Sequence, residues 1–205
     1  MNTISESFEI ILKKQHEWNY LFPKIIRKPA SMQDILNIES ALEITFNNEL
    51  RELYLFADGT DIDNITPCGL TGLIPIHNFL SLENAVQYYN MSITFEENFH
   101  NWEQDFQVNK KLFPFLEDGA GNCYWVDLNE RTNNYGQIFW TNTFGQDPDY
   151  TYTSLTNMFN VIAECYKTGI ITIDNEGYLT CDYDAFRHLS RAYNPELLFY
   201  TDNYN

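Results

Sequence analysis

The sequence predicts an α+β domain. Three observations carry that expectation. Helical periodicity fills the first third of the chain. The middle holds apolar runs joined by short polar links, as antiparallel hairpins require. One strong helical pattern then follows. Helices, then strands, then a helix is the order of an α+β fold rather than of a doubly wound sheet. The 205 residues are 44% hydrophobic and 16% aromatic. That is enough apolar material for one sizeable core, and the length suits a single domain over 1–205.

Ile4, Phe8, Ile11, Leu12 and Gln15 recur at helical spacing and predict a helix over 5–19, with Ser5 as its cap. Phe22 to Pro29 reads as a connection. Ser31 followed by Asp34 is a capping-box start, and Ile35, Ile38, Ala41 and Leu42 form the stripe of a second helix. Asn47 or Asn48 can cap a third, with Leu50, Leu53, Tyr54 and Ala57 on one face and Gly59 placed to end it. Leu70 to Ile76 reads as a strand, and Ser81 opens another helical pattern. Phe95, Phe99, Trp102 and Phe106 continue at helical spacing through an acidic stretch. Leu112 to Leu116 and Cys123 to Leu128 read as paired strands around the link EDGAGN, whose Gly119 and Gly121 suit a hairpin or bulge. Tyr135 to Thr143 alternates as a third strand, and Pro148 between Asp147 and Asp149 suits a turn. Ser154 begins a helix that Gly169 stops, ITIDNEGYLT forms a hairpin, and Asp184 to Tyr193 makes a last helix before Pro195.

The charge is strongly unbalanced. Twelve Lys and Arg stand against 29 Asp and Glu, a net charge of −17. A chain so acidic is a poor partner for nucleic acid or for an anionic membrane surface, because both need clustered bases. No run of about 20 apolar residues could span a bilayer. The start MNTISESFEI lacks the base-then-apolar pattern of a secretory signal, so a cytoplasmic location is expected. Lys13, Lys14, Lys24, Arg27 and Lys28 make the first 30 residues slightly basic. Between Arg51 and Lys110 there is no base at all, yet Glu52, Asp58, Asp61, Asp63, Glu83, Glu96, Glu97, Glu103 and Asp105 all fall there. Those acids serve solubility, or they form a docking surface for a basic protein.

Motifs for chemistry are few. His16, His77, His100 and His188 lie far apart, with no zinc-binding spacing, and no metal or cofactor is expected. Asp58, Asp61 and Asp63 cluster, but the glycine and the late bidentate Glu of a calcium loop are missing. Gly119-Ala120-Gly121 sits between strands rather than before a helix, which argues against phosphate binding. Cys68, Cys123, Cys165 and Cys181 are scattered and read as reduced, mostly buried thiols. Carboxylate pairs could still converge in space. Trp102, beside Glu103, has the character of an interface anchor, and inward packing is the equal alternative.

Three segments resemble the SUKH superfamily, the Smi/Knr type of immunity and regulatory proteins. The first is IESALEITFNNELRELYLFADGTDID at 38–63, carried by Glu39, Leu42, Leu50, Leu53, Tyr54 and Gly59. The second is LFPFLEDGAGNCYWVDL at 112–128, carried by Phe115, Asp118, Gly119, Gly121, Asn122, Asp127 and Leu128. The third is Gly136 to Phe139 followed by the Ser154 helix. The likeness covers 31–166, with 1–30 and 167–205 as elaborations and 81–108 as an insertion. It implies a SUKH-like fold, a central and mostly antiparallel sheet flanked by helices, with no family catalytic residues to carry over. It implies a non-enzymatic immunity protein that binds and neutralises a cognate toxin, often a nuclease. A basic toxin would be met by Asp58, Asp61, Asp63, Glu96, Glu97, Glu103 and Asp105, with Trp102 as aromatic anchor. Gly59, Gly119 and Gly121 would shape turns. Two other readings stand beside it: a regulatory adaptor on the same scaffold, and a hydrolase using scattered carboxylates.

Overall fold

The computed structural model describes residues 1–61, 66–98, 111–141 and 149–200, with the backbone alone for 94–98. Helix α1, Ile4–Glu17, starts one residue earlier than the spacing predicted and ends two residues sooner. Thr3, not Ser5, caps it: Thr3 accepts from Glu6 N, and the Glu6 carboxylate accepts from Thr3 N. Ser5 already lies in the first turn, where its hydroxyl donates to Glu52 at 3.1 Å. The expected connection at 22–29 contains a short α2, Phe22–Ile25. Helices α3, Met32–Leu42, and α4, Asn48–Phe56, open on the capping residues Ser31 and Asn47.

Two local expectations fail for backbone reasons. Gly59 does not end α4, because Ala57 already does so in an extended conformation. Gly59 has φ +68° and passes against the chain at 80–81, where an added Cβ would lie 2.1 Å from Ser81 N. Nor is Leu70 to Ile76 a strand. Cys68–Thr71 forms a short α5, and the chain then folds back through a tight Pro75-Ile76 turn in which His77 N donates to Ile74 O at 3.1 Å. Gly72 permits that turn, since a Cβ there would meet Ile74 O at 2.4 Å.

The main sheet follows. Its strands are β1 (Asn78–Phe79), β2 (Leu112–Glu117), β3 (Cys123–Asp127), β4 (Ile138–Thr141) and β5 (Asp149–Tyr152), paired antiparallel in that order. β5 replaces the turn expected around Pro148 and pairs with β4. Helix α6, Leu82–Asn98, lies between β1 and β2 in the chain, with Ser81 Oγ accepting from Asn84 N at 3.2 Å. Helix α7, Leu155–Thr168, is capped by Ser154 and ended by Gly169. A hairpin of β6 (Ile171–Ile173) and β7 (Leu179–Cys181) leads to α8, Tyr183–Tyr193, and to a single 3₁₀ turn, Leu198–Tyr200.

Strand register sorts the side chains into two faces. Phe113, Val126, Ile138 and Tyr152 are aligned across the sheet and belong to the main core. Helices α1, α4 and α7 cover that face. Leu112, Cys123 and Trp125 project the other way into a smaller cluster, completed by Tyr88 of α6 and by Phe139. In the main core Phe8 of α1 lies within ring contact of Phe22, Phe56, Phe79 and Phe159, with centroids 5.0–6.1 Å apart. At either end of α1, Asn2 N donates to Asn160 Oδ1 at 3.0 Å and Gln15 Nε2 donates to the Tyr166 hydroxyl at 2.8 Å.

Two glycines separate steric from conformational cost. Gly59→Ala should lower unfolding free energy by about 3 kcal/mol or more, because backbone must move. Gly169→Ala, with φ +76° and open space around its Cβ, should cost only about 1–2 kcal/mol. Urea titration of both variants checks this, and equal losses would contradict it.

Candidate partner-binding surface

The first acidic cluster is built by a crossing of two chain segments. Residues 25–28 run against 58–61: Arg27 N donates to Gly59 O at 2.9 Å, Asp61 N donates to Ile25 O at 2.8 Å, and Ile26 bridges Thr60. That pairing delivers Arg27 to the acidic loop. Its guanidinium lies 3.5 Å from Asp58 and 3.8 Å from Asp61. The two acids differ in kind. The Asp61 side chain is 79% exposed, whereas that of Asp58 is only 15% exposed. Asp58 Oδ1 accepts from Leu82 N at 2.8 Å and so holds the first turn of α6. Burial pushes the Asp58 carboxyl upward in pKa, the Leu82 N–H and Arg27 pull it down, and Asp34 and Glu83 push it up again.

Asp34 and Glu83 therefore belong to the same patch, and sequence reasoning missed both as site residues. Asp34 had been absorbed by its capping role, where the Ser31 hydroxyl and N–H hold its pKa down. Glu83 was one of nine acids in the stretch between Arg51 and Lys110 that holds no base. Their convergence with Asp58 and Asp61 is set by tertiary structure alone. Of the other expected contact residues, Glu96 and Glu97 lie in α6, with only their backbone described. Asp63, Trp102, Glu103 and Asp105 lie outside the described residues.

The EDGAGN turn is internally satisfied. Gly119 and Gly121 have φ +74° and +96°. The Asp118 carboxylate accepts from Ala120 N at 2.8 Å, from Asn122 N at 3.0 Å and from the Asn122 side chain. Glu117, 5% exposed, accepts from the Tyr88 hydroxyl at 2.8 Å, from Gly119 N and from Asn78 Nδ2. Asn78 also donates to Cys68 Sγ at 3.1 Å and accepts from the Thr71 hydroxyl at 2.7 Å. At the sheet's opposite corner Asp127, 1% exposed, accepts from the Tyr150 hydroxyl at 2.6 Å. The two buried carboxylates sit at opposite ends of the β2–β3 ladder, so they form no catalytic pair.

The thiols are unreactive by environment. All four are free. Burial raises each pKa, to about 12 for Cys165 and about 11 for Cys181. Cys68 and Cys123 are pushed up further by Glu117 and Asp118. Little thiolate exists at neutral pH in such sites. Among the described residues no three His, Cys, Asp or Glu side chains converge on a possible metal site. Likewise, no described helix is long and apolar enough to cross a membrane. A shallow groove lies between α1, α3 and α4, lined by Ser5, Met32, Arg51, Glu52, Leu55 and Phe56.

His77 gives a pH test of this region. Burial pushes its imidazole below the ordinary value, opposed by the Pro75 carbonyl, Asp118 and Glu117. The folded protein thus resists a proton that the unfolded chain accepts near pH 6.5. The stability this confers is complete above that value and is lost as pH falls through it. Urea unfolding from pH 7 down to pH 5 should show the parent losing more stability than His77→Gln. Parallel losses would refute the assignment.

Glu39 ties the helix pair together. Its buried carboxylate accepts from Phe46 N at 2.6 Å and from Arg51 at 2.7 Å, joining the end of α3 to the link before α4. A comparison with curated proteins gives no match. A comparison with protein families matches residues 29–161, the span from the end of the Arg27 crossing into α7, to the SMI1 / KNR4 family (SUKH-1). With well over half of its length matched, and with the expected α+β architecture of an antiparallel sheet flanked by helices in place, the chain belongs to the SMI1 / KNR4 family (SUKH-1).

Proposed function

We propose that this protein, acting as one domain over residues 1–205, is a non-enzymatic bacterial immunity protein of the cytoplasm. It binds a cognate basic toxin, a nuclease being the type that fits best, and neutralises it by covering its functional groove. The observation that carries this reading is the conjunction of family membership with a net charge of −17. A toxin that acts on nucleic acid needs a basic groove, and an acidic protein competes for it. Long-range attraction then speeds association, which matters when the toxin must be caught before it acts.

The contact surface proposed is the acidic patch of Asp58, Asp61, Asp34 and Glu83 extended by Glu96, Glu97, Glu103, Asp105, Asp63 and Trp102. Within it the roles divide. Asp58 is committed to α6 and to Arg27, so its loss should show first as stability. Asp61 is free to contribute charge to a partner at little structural cost.

Co-expression with the product of the neighbouring gene tests the reading. The parent should restore growth and should co-purify with that product. Association should slow steeply with added salt. The combined variant Asp61→Lys, Glu83→Lys, Glu96→Lys and Glu97→Lys should associate at least about tenfold more slowly while staying folded. Full neutralisation by that variant would show that the acids supply solubility only. Failure of the parent to bind the product, with capture of a host regulator instead, would establish the adaptor reading.

A further inference from the structure

Met32, Leu36 and Leu55 are large apolar side chains that stand 44%, 46% and 39% exposed. Helix α3 gives Ile35, Ile38 and Leu42 to the core, and α4 gives Leu50, Leu53 and Tyr54. Met32, Leu36 and Leu55 belong to neither core cluster. Met32 and Leu55 instead line the shallow groove between α1, α3 and α4. Leu36 stands one turn from Met32 on the same side of α3. A lone exposed Leu is ordinary, whereas apolar side chains gathered around one groove mark an interaction site.

The groove offers little to orient a small polar ligand. Its volume is about 510 Å³, but the polar groups of its wall are already engaged. The Ser5 hydroxyl donates to Glu52 at 3.1 Å, and Arg51 Nη2 donates to Glu39 at 2.7 Å. Arg51 Nε is sealed from solvent. A ligand site needs free polar groups that converge. The groove's margin is acidic and runs into the acidic patch at one place. The first turn of α3 carries Met32 on the groove and the exposed Asp34, folded back onto Ser31. Asp34 is close enough to Asp58 to oppose its ionisation. Leu55 lies in the last turn of α4, and Asp58 follows just beyond that helix. Ala30 N donates to Tyr54 O at 3.0 Å and so ties the entry of α3 to the end of α4. Both bases at this junction are tied to acids, Arg51 to Glu39 and Arg27 to Asp58 and Asp61.

We propose that this groove is the apolar centre of the partner interface, and that it receives a bulky apolar side chain of the basic toxin flanked by Lys or Arg. The inference rests on the proposed function and deepens it, since it names what holds the partner once charge has brought it in. Charge complementarity selects that occupant: an apolar residue entering beside Asp34, Glu52 and Asp61 does so best with cations next to it. Nucleic acid and anionic lipid would bring phosphate against the same acids. A second copy of the chain, itself at −17, is repelled. The division of labour follows from interface physics. Charges at a solvated rim speed encounter, whereas a desolvated apolar centre slows departure.

The test measures association and dissociation rates of the full chain with an inactivated form of the neighbouring gene's product. The triple variant Met32→Gln, Leu36→Gln and Leu55→Gln keeps good helix formers and adds no charge. It should dissociate about tenfold faster or more, with association within about twofold of the parent. The charge-reversed variant of the acidic patch should do the converse and slow association. Leu36→Lys, a single change at the most exposed of the three positions, should also speed dissociation, and it decides the matter if the triple variant melts early. A parent that binds, with dissociation unchanged in both groove variants, would overturn the inference and leave the immunity reading standing. A parent that does not bind the product would overturn both. Sedimentation of the free parent as a dimer, with the triple variant a monomer, would assign the groove to a second copy and likewise overturn the proposal.

Discussion

The packing of α1 against α7 is the contact on which the rest of the core depends. Phe8 sits where rings from α2, α4, β1 and α7 meet, and it is fully buried. Burying one such side chain contributes about 1.5–3 kcal/mol, and the four rings around it lose contacts together if it is removed. Yet α1 lies wholly before residue 29, outside the span that matches the family. An apparent N-terminal elaboration is therefore the central element of the core. The polar pins at its two ends, Asn2 to Asn160 and Gln15 to Tyr166, fix its register along α7 without adding apolar area. α1 cannot slide against α7 without breaking one or both of them.

The N-terminal segment also governs the acidic loop. Arg27 is carried into place by the 25–28 crossing, and its charge partly offsets the crowding of Asp58, Asp61, Asp34 and Glu83. Two of the acids that look unpaired in sequence, Asp58 and Asp61, find their base in Arg27, far upstream. The Asp58 carboxyl remains raised in pKa, first by its burial and only then by Asp34 and Glu83, despite Arg27 and the Leu82 N–H. The two acids of this loop differ in place: the half-buried Asp58 holds α6, and Asp61 faces solvent.

Much of the helical architecture was legible. The caps Ser31, Asn47 and Ser154, the stop at Gly169 and the stripes of α1, α3, α4 and α7 are local signals, and local physics sets them. The β2–β3 hairpin was legible for the same reason, its turn chemistry being written in EDGAGN. What escaped was non-local. β5 pairs along β4, and although Tyr150, Thr151 and Tyr152 favour a strand, four residues after Pro148 are too short a run to announce that edge. The apolar residues of 70–76 read as a strand interrupted by Gly72 and closed by Pro75, but both residues serve a back-fold held by Tyr20, whose hydroxyl donates to Gly69 O and accepts from Gly72 N. At the candidate surface the acids were legible as a class. Which of them would be spent on capping and pairing was not, because Arg27 and Leu82 are distant in sequence.

The polar centre around Glu117 bears on the kind of function the fold can perform. A buried carboxylate is costly unless several donors meet it, and here Tyr88, Gly119 and Asn78 do so. Its negative charge then acts on its neighbours. Burial first, and this charge second, oppose ionisation of Cys68, Cys123 and Tyr88. The same bonds lock the turn at 117–122 against β1 and α6. A region so arranged is built for fixed shape, and fixed shape is what a surface needs to meet a partner without the cost of ordering itself first.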